Sequence, residues 1–269
     1  MSPHSASLSA AAIASHRDAA TTATQVSIEV VAETGSTNAD LMARGAARTL
    51  ITPLLLVAEH QSAGRGRAGR SWLSAPGSSL TFSLAWRFTG SAQRLLGLPL
   101  AIGVAVADAL AAQGVQVQLK WPNDILKDGA KLAGILIETQ HDASANTTVA
   151  VIGIGLNLVM PDDLEQRIGR DVAAAPWLAR MDRNALLAAL LDHLAATLAA
   201  FDRGGFAAFA SRWNLLHGWA GQQVRIVDNG VVLQQGAAAG VDDSGRLLLD
   251  TDAGRVAIAA GDVSLRLAD

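Results

Sequence analysis

The chain has 269 residues, half of them hydrophobic, with a formal net charge of −3 and a pI near 6.0. That length allows one large domain plus a small one, and the acidic balance argues against a chain-wide basic surface for nucleic acid. Cysteine is absent, so disulfides and thiolate metal sites are excluded, which suits a cytoplasmic protein.

Residues 1–25 are rich in Ala, Ser and Thr and predict a flexible tail. They lack the basic start and apolar core of a secretory signal. Val26 to Val31 alternate as a strand, and Glu33 to Asn38 form a turn into a helix over 38–47, with Thr37 and Asp40 resembling a capping box. Leu54 to Ala58 read as a strand buried on both faces, and Leu80, Phe82, Leu84 and Trp86 alternate as the next. The apolar stretch within 94–113 contains Pro99 and Asp108 and predicts a core helix, not a membrane span. Val115, Val117, Leu119 and Trp121 alternate as a strand that Pro122 ends. Strands over 133–139 and 147–157 flank a hairpin tip at 142–146, and 160–182 read as irregular. Two helices follow, over 183–202 and 205–216. From Gln223, short alternating runs with Asp/Asn/Gly turns predict a small β-barrel.

Two segments carry chemistry. Gly64-Arg65-Gly66-Arg67-Ala68-Gly69-Arg70 places three guanidiniums and three glycines in one loop, suited to closing over a polyanion. It also fits the dinucleotide pattern G-x-G-x-x-G. However, Ser71 to Gly77 break a helix where that pattern needs one, and Trp86-Arg87 stand where its acidic residue belongs. The bland alternative is a solvated or nucleic-acid-binding Arg/Gly loop. The second segment is Lys120-Trp121-Pro122-Asn123-Asp124 with Lys131 to Ile135 beyond it. Two lysines, an amide and a carboxylate gather at a strand end, where a site can be mounted rigidly, although an ordinary polar turn has the same composition. A carboxylate among cations can hold Mg²⁺ or orient a cation.

Five motifs in order give a stronger signal than either segment. Ser36-Thr37-Asn38, then Gln61 with Gly64 to Trp72, Lys120 to Asp124, Lys131 to Glu138, and Gly153 to Asn157 resemble the biotin–protein ligases, also called biotin–[acetyl-CoA-carboxylase] ligases. The resemblance covers about residues 30–269. It implies an α+β fold: a mixed sheet with helices like the class II aminoacyl-tRNA synthetases over 26–218, then an SH3-like barrel over 219–269. It implies a two-step reaction in which biotin and MgATP give biotinyl-5′-adenylate, and a lysine of a biotin carboxyl carrier protein then takes the biotin.

The same resemblance assigns roles. Lys131, Arg65 and Asp124 match the catalytic positions. Ser36, Thr37, Asn38, Gln61, Gly64, Arg65, Lys131, Gly134, Ile135 and Gly155 match the biotin side. Arg67, Arg70, Trp72, Lys120, Asn123 and Asn157 match the ATP side. Asp124 is left between binding Mg²⁺ and orienting or deprotonating the acceptor lysine. Capping remains an alternative for Ser36 and Thr37, and core packing for Trp72. None of the six histidines falls in a motif. Some relatives carry an N-terminal winged helix-turn-helix, and the residues before the first strand are too few to hold one. No DNA or membrane partner is expected, and the oligomer is expected to be a monomer or weak homodimer. Lipoate-type ligases and a nucleic-acid-binding protein are the alternatives.

Overall fold

The computed structural model describes residues 7–18, 25–159, 172–176, 178–261 and 263–268. A seven-stranded sheet, drawn from residues 27–157, carries most of the molecule. Its strands are β1 (Ser27–Thr34), β2 (Leu54–Gln61), β3 (Ser79–Thr89), β4 (Gln118–Lys120), β5 (Asp124–Lys127), β6 (Ala130–Asp142) and β7 (Thr147–Asn157). The order is β1-β2-β3-β7-β6-β5-β4; β1 runs parallel to β2 and every other pair is antiparallel. This is the mixed, largely antiparallel sheet expected.

One face of the sheet is a continuous apolar surface. Val57, Phe82, Ile154 and Ile135 form one cross-strand row, and Leu55, Leu84, Ile152 and Ile137 the next. Helices α3 (Leu98–Ala112), α4 (Arg183–Gly204) and α5 (Ala207–Leu215) complete the core on this face. Helix α3 is apolar nearly all round, as a helix buried on several sides must be. The stretch Ala92–Ala112, which ends in α3, and α4 are long and apolar enough to cross a membrane, yet most of each is buried inside the fold. Helix α2 (Thr37–Ala46) covers part of the opposite face, packing Leu41 on Leu54, Leu56, Ala85 and Val151.

The C-terminal region is a five-stranded antiparallel sheet, ordered β11 (Gly254–Ile258), β10 (Leu247–Thr251), β9 (Val231–Val241), β8 (Gln223–Asp228), β12 (Ser264–Leu267). Its first hairpin turns on Asn229-Gly230, both at positive φ (45° and 84°), the pairing that a two-residue turn demands. Strands β11 and β12 lie at opposite ends of this order, so the ladder is not a closed barrel among the described residues. Trp121 Nε1 donates to Gly245 O (3.2 Å), and Asn214 pairs with both the N–H and the carbonyl of Val241, joining the two sheets' regions.

Three local expectations differ from the structure. The N-terminal segment is not a free tail throughout: α1 (Ala10–Ser15) seats Ile13 at 0% exposure in the core. Leu8 N donates to Glu59 and Ser9 N to Asn184, and a helix this short leaves little periodicity to read. The cap of α2 is Ser36, whose Oγ accepts from Ala39 N, while Asp40 accepts from Thr34 Oγ1. The strand read from Val115 pairs only over β4; Val115 and Val117 are buried without joining the ladder. The irregular stretch expected over 160–182 lies outside the described residues as far as 171; beyond it, residues 178–180 make a 3₁₀ turn.

Candidate active site

The face opposite the apolar core carries small residues where the strands pass beyond α2. Ala58, Thr81, Gly155, Gly134 and Asp124 form one cross-strand row, and Leu56, Ser83, Gly153 and Leu136 the next. Gly153 and Gly155 make room for what lies above them. A Cβ on Gly153 would sit 2.3 Å from Asn38 Oδ1, and one on Gly155 would sit 2.2 Å from the Trp72 ring. The result is a pocket floored by strands, walled by the α2 N-terminus and roofed by the Arg/Gly loop. Ser36, Thr37, Asn38, Gln61, Arg65, Arg67, Trp72, Asn123, Lys131, Gly134, Ile135 and Gly155 all line it.

The deep wall is polar and buried. Thr37 N–H donates to Gln61 Oε1 (2.8 Å), and Thr37 Oγ1 lies 2.6 Å from Ser83 Oγ. Ser83 donates to Asn38 Oδ1 (2.6 Å), and Asn38 Nδ2 donates to Glu138 (2.9 Å). Ser36, Thr37, Asn38 and Ser83 are all buried. Such groups are costly to bury unless each finds a partner, so a wall of them argues for a polar ligand end.

The mouth is cationic. Lys131 Nζ donates to Asp124 Oδ1 and lies 5.8 Å from the centroid of the Trp72 ring. Lys120 Nζ stands 3.5 Å from Asp124 Oδ2 and 4.5 Å over the Trp219 ring. Burial holds the Lys120 ammonium below its ordinary pKa, partly offset by Asp124. Residues 64–72 form a small hairpin: Gly66 N donates to Arg70 O and Trp72 N to Gly64 O, with Ala68 and Gly69 at positive φ. Arg67 donates to Asn123 Oδ1 (3.0 Å) and to Gly261 O, tying this loop to the C-terminal region. Arg70, Lys120, Asp124 and Arg266 line an adjoining pocket between the two regions.

Not every expected residue meets the pocket. Asn157 is buried and gives its amide to Ala173 O (3.2 Å), and Gly64 contributes through the backbone that holds Trp72. Asp124, left open between a Mg²⁺ ligand and an orienting group, lies among cations. Its carboxylate is engaged by two lysines, and no group of three His, Asp or Glu suited to a metal occurs among the described residues. Ser83 and Arg266 were missed, and Gly153 and Glu138 stood at the ends of two motifs without being given a role. Ser83 was findable: Ser79, Thr81 and Ser83 alternate with Leu80, Phe82 and Leu84, which marks a polar face on a buried strand.

Two family models match this chain. The biotin/lipoate A/B protein ligase family covers residues 33–157, and the biotin protein ligase C terminal domain covers residues 220–266. The biotin--[acetyl-CoA-carboxylase] ligase of Mycobacterium tuberculosis is 37% identical over 245 residues, 88% of either chain. The chain belongs to the biotin protein ligase family. The bifunctional ligase/repressor BirA of Escherichia coli is 35% identical over 79% of this chain, which spans 66% of that longer protein. Among solved structures, the biotin protein ligase from Aquifex aeolicus in complex with biotin and ATP matches with a TM-score of 0.74 and 27% identity, over 90% of this chain and 99% of that one.

Proposed function

We propose that this chain activates biotin with ATP to biotinyl-5′-adenylate and transfers the biotin to a lysine of a biotin carboxyl carrier protein. The observation that carries this reading is the pairing of a buried, hydrogen-bonding pocket end with a cationic mouth. A bicyclic ureido acid needs that arrangement: donors and acceptors for the ring, cations for the carboxylate. Lipoate, whose dithiolane offers no such groups, would leave the Ser36 hydroxyl proton and the Gln61 Nε2 amide without a ligand acceptor.

In the first step a biotin carboxylate oxygen attacks the α-phosphorus of ATP, and pyrophosphate leaves. Two anions must approach, so fixed cations do the work. Lys131 sits where it would hold the carboxylate against the α-phosphate, with Arg65 on the carboxylate side. Arg67, Arg70 and Lys120 would neutralise the triphosphate and the leaving pyrophosphate, with Mg²⁺ arriving on the nucleotide as MgATP. Asn123 braces Arg67, and Trp72 offers its face to the adenine. Asn157 would serve the ATP side through the segment it anchors. In the second step the neutral carrier lysine attacks the acyl carbon and AMP departs. Asp124 first orients Lys131 and then accepts the incoming ammonium's proton. Finer expectations belong to the same reading: an SH3-like C-terminal module, a synthetase-like sheet, a cytoplasmic monomer or weak homodimer, and no DNA or membrane partner.

ATP–pyrophosphate exchange with and without biotin tests the proposal. Exchange should require biotin and ignore lipoate. Equal exchange without biotin, or exchange driven by lipoate, would overturn it.

A further inference from the structure

We propose that Glu138, one row beyond the pocket floor, sets the donor–acceptor polarity of the pocket wall through Asn38 and Ser83, so that Thr37 Oγ1 meets the ligand as an acceptor. The inference rests on the biotin reading above and explains how the ring is recognised.

An ionised carboxylate accepts hydrogen bonds and donates none. Asn38 Nδ2 faces two acceptors, Glu138 Oε2 at 2.9 Å and Leu136 O at 3.4 Å, so its amide oxygen points the other way. Ser83 spends its one proton on that oxygen, at 2.6 Å. The Thr37–Ser83 contact of 2.6 Å allows either hydroxyl to donate by geometry alone. With the Ser83 proton spent, Thr37 must be the donor. Its approach to Gln61 Oε1, at 3.1 Å, is longer and competes for the same proton. Thr37 Oγ1 therefore keeps a lone pair and no proton for the pocket. Gln61 Oε1 is occupied by Thr37 N–H at 2.8 Å, which leaves Nε2 to donate. Ser36 Oγ accepts from Ala39 N, which leaves its proton to give.

The wall thus offers two donors and one acceptor. A cyclic urea presents the complement, a carbonyl with N–H beside it. Glu138 is the member of this relay that cannot reverse, because an amide or hydroxyl can turn and a carboxylate cannot become a donor. A site built for an N–H rejects a ligand that offers a lone pair there.

The test uses the full-length protein, biotin, and the two cyclic carbamate analogues in which oxygen replaces one or the other ureido N–H. The readout is the ratio of kcat/KM in pyrophosphate exchange, biotin over each carbamate. The native protein should reject the carbamate whose oxygen meets Thr37 by about 100-fold or more. Glu138→Gln keeps the shape but can reverse, so its ratio should narrow about tenfold. Glu138→Asp is shorter but still accepts only, so it should keep the native ratio. Ser83→Ala cuts the relay and should narrow the ratio as Glu138→Gln does; it decides alone if melting shows the Glu138 variants unfolded. The polarity relay is overturned if the native protein uses biotin without discriminating against either carbamate, if Glu138→Gln or Ser83→Ala keeps the native ratio, or if Glu138→Asp loses it. Absence of biotin-dependent exchange in the native protein would instead sink the functional reading itself.

Discussion

The two faces of the seven-stranded sheet are made by the same strands and do opposite things. On β3, Leu80, Phe82 and Leu84 lie in the helix-covered core, while Thr81 and Ser83 lie on the opposite face, where Ser83 lines the pocket. On β7, Ile152 and Ile154 face the core, and Gly153 and Gly155 leave the pocket floor bare. One face gains stability by filling space with carbon. The other gives up that packing and recovers part of the loss through hydrogen bonds. Period-two alternation lets one strand serve both purposes, because neighbouring residues never share a face.

The contrast predicts a double dissociation. Lys131→Ala should slow biotin-dependent exchange by about 10²–10³-fold, since it removes a fixed cation from the place where two anions meet. Its denaturation midpoint should move little. Leu84→Ala, with a fully buried core side chain, should lose about 2–5 kcal/mol in chemical denaturation. The folded fraction of that variant should keep the native KM for biotin. If Lys131→Ala unfolds the protein, or Leu84→Ala shifts the biotin KM, the two faces are not separable.

Acid should probe a third region, the junction of the two sheets. His217 is 6% exposed, packs against Trp213 at 4.7 Å between ring centroids with the rings tilted by 38°, and neither ring nitrogen has a partner among the described residues. Burial lowers its pKa from 6.5 to about 4. The unfolded chain binds this proton first, so the stabilisation is full above pH 6.5 and is lost as pH falls toward 4. The loss amounts to about 3 kcal/mol. Melting temperature should therefore fall across that window, above the range where the carboxylates titrate. His217→Phe should flatten the fall; an unchanged slope would assign the acid sensitivity elsewhere.

What the sequence made legible follows from the same contrast. The apolar runs and turn residues announced the long strands and α3, and the spaced motifs announced Ser36, Gln61, the Arg/Gly loop, Lys131 and Gly155 as one site. Ser83 was legible only as part of a polar strand face and Glu138 only as the end of a motif, because their partners are 45 and 100 residues away and no local pattern reports such a pairing. Asp124 was ambiguous for a related reason. A carboxylate beside lysines reads alike as a metal ligand or as an ion-pair partner until the distances are known. The N-terminal helix hid in an Ala/Ser-rich stretch, held by Glu59 and Asn184 from distant elements.

The smallest effect on stability offers the sharpest test, because one residue belongs to both accounts. Ser36 caps α2 through Oγ and also lines the pocket. Alanine there would confound the two roles, since losing a cap costs about 0.5–2 kcal/mol. Glycine is a tolerated cap, so Ser36→Gly should cost only roughly a few tenths of a kcal/mol. It still deletes the hydroxyl proton that the wall offers the ring. The KM for biotin in pyrophosphate exchange should then rise about two- to tenfold, the value of one neutral hydrogen bond, while the KM for ATP stays at its native value. A biotin KM that stays native would make Ser36 a helix cap alone. A rise in both KM values would mean that the cap itself, by setting the α2 N-terminus against the floor, governs the whole pocket.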